Sequence, residues 1–171
     1  LQNGDPEGAR LVATTVVSSP MLARIAALHG ADYAETLTGF KWLANRGAQF
    51  ESEAGGRFVF GYEEALGYSA GGLVRDKDGV SAVLLLCDLA AACRRAGGSL
   101  VDRWRGLCAR VGAVFDSSQK SLVLPGAEGQ AQIAAIMARL RAEPPTEIAG
   151  TPVATLRDVQ TGTATTVETG E

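Results

Sequence analysis

The chain has 171 residues, of which 46% are hydrophobic and 20% are charged, and its formal net charge is −3. These values are typical of a globular protein with one domain or slightly more, and they exclude a largely disordered chain. The negative charge does not favour nucleic acid or an anionic membrane as a partner, and no apolar run reaches the roughly 18 residues of a membrane span. We therefore expect neither kind of partner.

The N-terminal segment LQNGDPEGAR is polar and lacks an initiator Met, so we expect no signal peptide and a chain that is part of a longer protein. The three cysteines, Cys87, Cys93 and Cys108, have no metal-type spacing, which predicts reduced, buried thiols in a cytoplasmic protein. His29, the only histidine, falls at the end of a predicted helix, where an imidazolium would interact favourably with the helix dipole. The sequence thus leaves little room for histidine-based catalysis.

Strand and helix patterns alternate through the first part of the chain. Residues 11–17, LVATTVV, form a β-branched run that predicts a buried strand. Ser19 and Pro20 supply an N-cap and a first-turn proline for the helix MLARIAALH, which Gly30 ends. The same alternation continues through three further segments: ADYAET (31–36), FKWLANRGAQF (40–50) and RFVFGY (57–62).

A long apolar helix is predicted next. Asp76 or Asp78 can cap it, and it extends to about Arg95. Because this helix is apolar nearly all round, we expect most of it to be buried. Ser99 caps a further helix, which has Trp104 on its inner side.

This order of elements predicts an α/β fold, a three-layer domain with a mixed, largely parallel sheet. Sites in such sheets lie beyond the carboxyl ends of the strands. Thr38–Gly39 and Glu63–Glu64 both follow predicted strands. The two segments could therefore share a cleft.

The composition changes after about residue 112. Residues 113–125 are predicted to be extended, and the helix GAEGQAQIAAIMARLRAE then ends at Pro144–Pro145. The remaining tail is rich in Thr, Gly and Val, which indicates the truncated start of an α+β domain. We assign residues 1–118 to the α/β domain and residues 119–171 to a linker and the incomplete start of a C-terminal domain.

The Glu63–Glu64 pair, in a turn bounded by glycines, is a candidate binding site. Carboxylates only accept hydrogen bonds and suit neighbouring sugar hydroxyls, while the Arg and Lys of the segment 75–78 could bind phosphate. An ordinary solvated acidic turn and a charge-compensated helix cap are the alternatives for these two segments. The chain contains no Walker phosphate loop, no dinucleotide-binding glycine motif and no nucleophile elbow.

Three blocks resemble, in the same order and spacing, the third domain of the α-D-phosphohexomutase superfamily, which includes phosphoglucomutases and phosphomannomutases. These blocks are TLTGFKWL (36–43), FGYEEALGY (60–68) and VRDKDGV (74–80). The opening VATTVVSSPMLARIA is similar to the first strand and helix of that domain. The resemblance covers roughly residues 10–112, and residues 120–160 are similar to the linker and the beginning of the fourth domain.

The resemblance implies that the turn with Glu63–Glu64 supplies a sugar-binding loop, which in the family usually has a Glu-x-Ser pattern. Glu63 would then accept hydrogen bonds from two vicinal ring hydroxyls, and Ala65 takes the place of the usual serine. We expect the Glu63 carboxylate to be exposed in the cleft, so that its substitution hardly changes the stability of the fold.

Five other positions are implied by the same resemblance. Lys77 matches a lysine that approaches the substrate, and Arg75 supports it. Thr38 and Gly39 match a loop whose backbone lies near the sugar ring, and Lys41 assists at its edge.

The activity implied is that of an isomerase of carbohydrate metabolism, an intramolecular phosphotransferase. A phosphoserine gives its phosphate to a hexose phosphate, the hexose 1,6-bisphosphate turns over, and the serine takes back the other phosphate. Neither the phosphoserine loop nor the Mg²⁺ ligands of the family occur in this sequence. We therefore expect no catalytic or metal-binding residue here, Mg²⁺ in another domain, and no activity of this chain alone.

The expected partners are the phosphohexose substrate and the remaining domains of the parent enzyme. The alternative interpretation is a stand-alone phosphosugar-binding or regulatory module without catalysis. A nucleotide-binding α/β domain is disfavoured because no glycine-rich phosphate loop opens a helix.

Overall fold

The computed structural model describes residues 8–64, 67–112 and 123–166. The chain divides into two compact units, Leu1–Gln119 and Lys120–Glu171. The elements of the first unit are β1 (Arg10–Thr15), α1 (Met21–Leu28), β2 (Asp32–Thr36), α2 (Phe40–Ala54), β3 (Arg57–Glu63), β4 (Gly67–Ala70), α3 (Gly79–Arg95) and α4 (Leu100–Val111). Those of the second unit are α5 (Gly126–Ala142), β5 (Glu147–Ile148), β6 (Thr151–Pro152), β7 (Thr155–Asp158) and β8 (Thr163–Thr166).

A four-stranded sheet in the order β2-β1-β3-β4 forms the centre of the first unit. Strand β1 is parallel to both β2 and β3, whereas β4 is antiparallel to β3. The predicted α/β class and the mixed, largely parallel sheet are thus confirmed. Strand β4 was not predicted, because its four residues carry no alternating apolar pattern and follow a segment that resembles a turn.

One face of the sheet packs against α2. A glycine in the middle of this helix makes the close approach possible, since a Cβ atom on Gly47 would lie 2.8 Å from the Phe58 ring. The Phe58 ring of β3 therefore packs directly against the backbone of α2 at this point. The buried cluster on this face consists of Leu11, Ala13, Phe40, Leu43, Phe50 and Phe58.

The opposite face of the sheet packs against α1. Val12 of β1 lies against Leu22 and Ala26 of this helix. Aromatic side chains from β2 and β3 extend the same cluster, among them Tyr33, Phe60 and Tyr62. With α2 on one face and α1 on the other, the domain has three layers, and helix α4 in turn contacts α1.

Helix α3 does not have the buried environment that its composition predicts. It contacts β4 and α4, and the rest of its surface is open, with Val80 83% and Leu84 70% exposed. A groove of about 490 Å³ lies between α3 and the aromatic rings of Phe60 and Tyr68. Apolar composition alone predicts burial only where another surface covers the helix, and the described part of the chain covers one side of it.

Three smaller expectations are also corrected. Trp104 is about half exposed rather than on an inner side, and Cys87 is an exposed thiol, although all three cysteines are free as expected. The N-cap of α1 is Pro20, one residue later than expected, while the Ser19 hydroxyl accepts from the Met21 amide at 3.3 Å.

His29 is the C-cap of α1, as the sequence predicts, but its charge state differs from the expectation. Burial lowers the pKa of His29 from its ordinary value, and the positive charge of Arg110 lowers it further. The guanidinium of Arg10 donates to the His29 backbone carbonyl at 3.0 Å. The neutral imidazole is therefore favoured, and the end of α1 is satisfied by an arginine instead.

The second unit consists of one helix and two short antiparallel pairs, β5-β6 and β7-β8. Arg141 of α5 donates to Asp158 at 2.6 Å and to Gln160 at 2.6 Å. These bonds connect the helix to the β7-β8 hairpin. The predicted helix is confirmed, and helix plus antiparallel strands agree with the expected start of an α+β domain. Most of the predicted extended segment, residues 113–122, lies outside the described residues.

The contrast between the covered and open helices leads to a stability prediction. Leu43→Ala, which empties a fully buried position, should lower the free energy of unfolding by about 3 kcal/mol. The matched control Leu84→Ala makes the same chemical change at an exposed position and should alter stability by less than about 0.5 kcal/mol. Urea unfolding of the 171-residue chain, followed by circular dichroism, measures both. Equal losses would contradict the assignment of the core.

Candidate functional site

Three connections meet at the carboxyl edge of the sheet. The loop 16–20 follows β1, the loop 37–39 follows β2, and a hairpin joins β3 to β4. Because β1, β2 and β3 are parallel, their carboxyl ends lie along one edge, where sites in α/β sheets form.

Glu63, the last residue of β3, is buried and only 6% exposed. Its Oε1 accepts a hydrogen bond from the backbone N–H of Gly39 at 2.6 Å. Gly39 is the N-cap of α2, so the carboxylate lies at the positive end of that helix dipole. The two segments therefore meet, as expected, but the expectation of an exposed Glu63 is wrong. A carboxylate at this depth needs such a partner, because an unpaired buried charge is costly.

Gly39 also has a backbone conformation that depends on glycine. Its φ angle is 122°, a region that residues with a Cβ atom rarely adopt. This angle turns the chain sharply between β2 and α2 and directs the Gly39 N–H towards Glu63. The glycine in the TLTGFKWL block thus has a geometric role that its sequence context alone does not reveal.

Glu64 reaches the other neighbouring loop. Its Oε1 accepts from the backbone N–H of Ser19 at 2.8 Å. Two residues earlier in the chain, the Tyr62 carbonyl accepts from the Thr14 hydroxyl of β1 at 2.9 Å. Ser19 was not predicted to be a site residue, and the only signal for it in the sequence was the second glutamate of the pair.

Lys77 lies in the connection from β4 to α3, close to the N-terminus of α2. Its Nζ is 4.9 Å from the centroid of the Phe40 ring, and its side chain is 48% exposed. Asp76 Oδ1 is 4.0 Å from the same Nζ. Gly67 permits this arrangement, since an added Cβ would lie 2.9 Å from Phe40 and 3.3 Å from Lys77 Cε. The structure therefore brings Lys77 to the same helix end as Glu63.

The charged segment before α3 is also a helix cap. Asp78 Oδ1 accepts from the Ser81 N–H at 3.0 Å, and its second oxygen accepts from the Ser81 hydroxyl. These hydrogen bonds hold the pKa of Asp78 below its ordinary value. The Asp78 N–H donates to the Tyr68 carbonyl at 2.6 Å, which fixes the segment against β4. Both the capping interpretation and a substrate role for Lys77 are thus compatible with this segment.

Of the remaining four predicted site residues, two lie beside Gly39. Thr38 and Lys41 are exposed beside Gly39, and the Lys41 Nζ is 5.3 Å from the Trp42 ring. Arg75 lines a small cavity together with Glu51 and the middle of α2, and Glu63 is not among the residues that line this cavity. Ala65 is outside the described residues.

Within residues 8–64, 67–112 and 123–166, no group of three or more His, Cys, Asp or Glu side chains could hold a metal ion. No helix among the described residues is long and apolar enough to cross a membrane.

Residues 1–108 match the family described as "Phosphoglucomutase/phosphomannomutase, alpha/beta/alpha domain III". The chain belongs to this family. The expected superfamily and the expected third domain are thereby confirmed, and the glutamate pair lies within the matched residues.

Similar proteins include phosphoglucomutases of staphylococci. A Staphylococcus epidermidis (strain ATCC 35984) relative is 34% identical over 162 residues, which cover 95% of this chain and 29% of the relative. A Staphylococcus aureus (strain USA300) relative is 34% identical over 152 residues, 89% of this chain and 27% of the relative. The chain thus spans less than a third of the length of these phosphoglucomutases.

A solved structure shows the same fold at lower identity. A crystal structure described as that of a phosphomannomutase from Thermus thermophilus has a TM-score of 0.52 and 22% identity to this chain. The similarity covers 62% of this chain and 22% of the Thermus chain. At this identity the likeness supports the α/β fold of the family domain and nothing about its chemistry.

The contact between Glu63 and Gly39 leads to a second stability prediction. Glu63→Gln keeps the shape of the side chain but removes its charge from the N-terminus of α2, so the free energy of unfolding should fall by about 1 kcal/mol. Urea unfolding of the 171-residue chain measures the loss.

The control Glu53→Gln alters an exposed carboxylate within α2 and should change stability by less than about 0.5 kcal/mol. If both variants unfold like the wild type, the buried carboxylate does not stabilise the helix start.

Proposed function

We propose that this chain acts as the sugar-binding domain of a phosphohexomutase, which interconverts hexose 1-phosphate and hexose 6-phosphate through a phosphoserine and a bisphosphorylated sugar. The observation that carries the proposal is the position of Glu63. In a domain of this family, a buried carboxylate ends a central strand and is held by a backbone N–H at the carboxyl edge of the sheet. That edge is where ligands bind in α/β folds.

Glu63 can accept hydrogen bonds from hydroxyl groups while the Gly39 N–H holds its carboxylate in place. Among the described residues, the hydrogen bonds of its carboxylate involve Oε1. Each carboxylate oxygen has more than one lone pair, so Oε2 and the second lone pair of Oε1 remain as acceptors for two vicinal hydroxyls. A pair of ring hydroxyls presents a similar pattern after the sugar reverses, so a single clamp can hold both orientations of the bisphosphate.

Cationic and backbone groups complete the proposed site. Lys77, half exposed at the N-terminus of α2, supplies a positive charge for a phosphate or sugar oxygen. Thr38 and Gly39 bring backbone close to the ring, and Lys41 contributes at the edge.

Arg75 and Ala65 have less direct proposed roles. Arg75, which lines a cavity together with Glu51, supports the segment that carries Lys77 rather than touching the sugar. Ala65 occupies the place of a family serine and removes one hydroxyl contact to the substrate.

We further propose that residues 1–118 are the sugar-binding domain and residues 119–171 the linker and the start of the C-terminal domain. The division of the chain after Gln119 supports this boundary. The chain spans 29% of a phosphoglucomutase relative, which supports the proposal that other domains supply the phosphoserine and the Mg²⁺ site. Hexose 1,6-bisphosphate would be the activator, and the free cysteines support a cytoplasmic protein.

The protein encoded by the complete reading frame provides the test of Lys77. Lys77→Ala should lower kcat/KM for glucose 1-phosphate about ten- to a hundredfold, because a charge-assisted contact is lost, and Lys77→Arg should lose much less. The control Arg94→Ala removes an exposed cation at the far end of α3 and should be neutral. Wild-type kinetics for both Lys77 variants would leave only the capping role of the segment.

The same assay tests Glu63 in both directions of the reaction. Glu63→Gln replaces one acceptor oxygen by an NH₂ donor, so kcat/KM should fall roughly ten- to several hundredfold with 1-phosphate and 6-phosphate substrates alike. Assays run well below the melting temperature separate this loss from the loss of stability. Wild-type turnover in both directions would refute the sugar clamp, and binding of hexose phosphate without turnover in the wild type would favour a regulatory module.

A further inference from the structure

Glu64, the second carboxylate of the pair, is not used by the proposed sugar clamp, yet it makes a long-range contact of its own. Its Oε1 accepts a hydrogen bond from the Ser19 N–H at 2.8 Å, and the two residues are 45 positions apart in the sequence. The contact joins the hairpin after β3 to the loop after β1. It therefore links these two loops directly, beyond the hydrogen bonds of the sheet itself.

The two carboxylates reach opposite faces of the sheet. Glu63, the last residue of β3, reaches the start of α2, and Glu64, the first residue after the strand, reaches the start of α1. Glu63 binds the N–H of Gly39, the N-cap of α2. Glu64 binds the N–H of Ser19, which directly precedes Pro20, the N-cap of α1. The end of β3 is thus fixed from both faces, each time by a carboxylate near a helix N-terminus, where negative charge is favourable.

Fixation from two faces restricts rotation at the end of the strand. With the Gly39 bond alone, the last residue of β3 could still twist about the strand axis, and such a twist would swing Glu63 Oε2 relative to a bound sugar. The bond from Ser19 to Glu64 opposes that motion, because it acts on the adjacent residue from the opposite side. Displacements of about 1 Å at a binding group can cost roughly a hundredfold in rate.

We propose that Glu64 is a positioning residue, which holds the hairpin against the loop after β1 and thereby aims the Glu63 carboxylate at the sugar. This inference rests on the proposed function of Glu63 as a sugar clamp. Glu64 itself does not touch the substrate in this scheme, so its effect passes through Glu63.

A double-mutant cycle in the full-length protein tests this dependence, with kcat/KM for glucose 1-phosphate as the readout. Glu64→Ala in the wild-type background should lower kcat/KM about tenfold or more, whereas Glu64→Gln, which keeps an acceptor oxygen, should retain most of the activity. In a Glu63→Ala background, Glu64→Ala should cause little further loss, because there is no clamp left to aim. The control Glu53→Ala should have no effect in either background.

The outcomes separate the two proposals. If Glu63→Ala lowers kcat/KM but Glu64→Ala does not, or if their losses simply multiply, Glu64 is not a positioning residue and the clamp stands. If Glu63→Ala turns over like the wild type, the clamp fails, and the role of Glu64 fails with it.

Amide hydrogen exchange of the 171-residue chain, measured by NMR, tests the hydrogen bond from Ser19 to Glu64 without any assay of function. Exchange at the Ser19 amide should accelerate several-fold in Glu64→Ala, and Gly39 should be much less affected. Unchanged exchange at Ser19 would show that the hydrogen bond to Glu64 does not hold the loop after β1.

Discussion

The hydrogen bond from the Gly39 N–H to the Glu63 carboxylate is the constraint on which the edge of this sheet depends. A carboxylate buried to this extent must be paired, and here its partner is the start of a helix rather than a basic side chain. The bond requires the unusual φ angle of Gly39, so a residue with a Cβ atom at that position would disturb the turn, the helix start and the glutamate together. The backbone conformation of Gly39 and the burial of the Glu63 charge therefore depend on each other.

Two further glycines explain how the sheet accommodates α2. Gly47 allows the helix to approach β3, and Gly61 lies close to the same aromatic ring, since a Cβ there would be 2.9 Å from Phe58. Phe58 thus fills the space that the two glycines leave open. The strand carrying Glu63 is held firmly against α2 at its centre, which gives the carboxylate at its end a stable base.

Local sequence patterns were sufficient to predict most of the fold. The β-branched run of β1, the caps of α3 and α4 and the block around Gly39 each express a short-range preference, and the corresponding elements are present. The patterns were insufficient wherever the outcome depended on distant partners. The burial of Glu63 depends on an amide 24 residues away, and the exposure of α3 depends on which surfaces cover it.

In the candidate site, too, local patterns predicted some positions, while others depended on the path of the chain. Glu63, Gly39 and Lys77 meet at the N-terminus of α2, whereas Arg75, only two residues from Lys77, lines a cavity beside the middle of α2. Neighbours in sequence can diverge in this way where the chain turns, and no local pattern encodes the direction. Ser19 was missed for a related reason, because it contributes a backbone N–H, which any residue other than proline could supply.

The open side of α3 has a consequence for how this chain behaves in solution. Five leucine and valine residues of this helix are each at least half exposed: Val80, Val83, Leu84, Leu85 and Leu86. Apolar surface of this kind associates by a force that is mainly entropic near room temperature and that strengthens on warming. Solutions of the isolated 171-residue chain should therefore become turbid on heating before the domain unfolds, and sulfate should lower the temperature at which this happens.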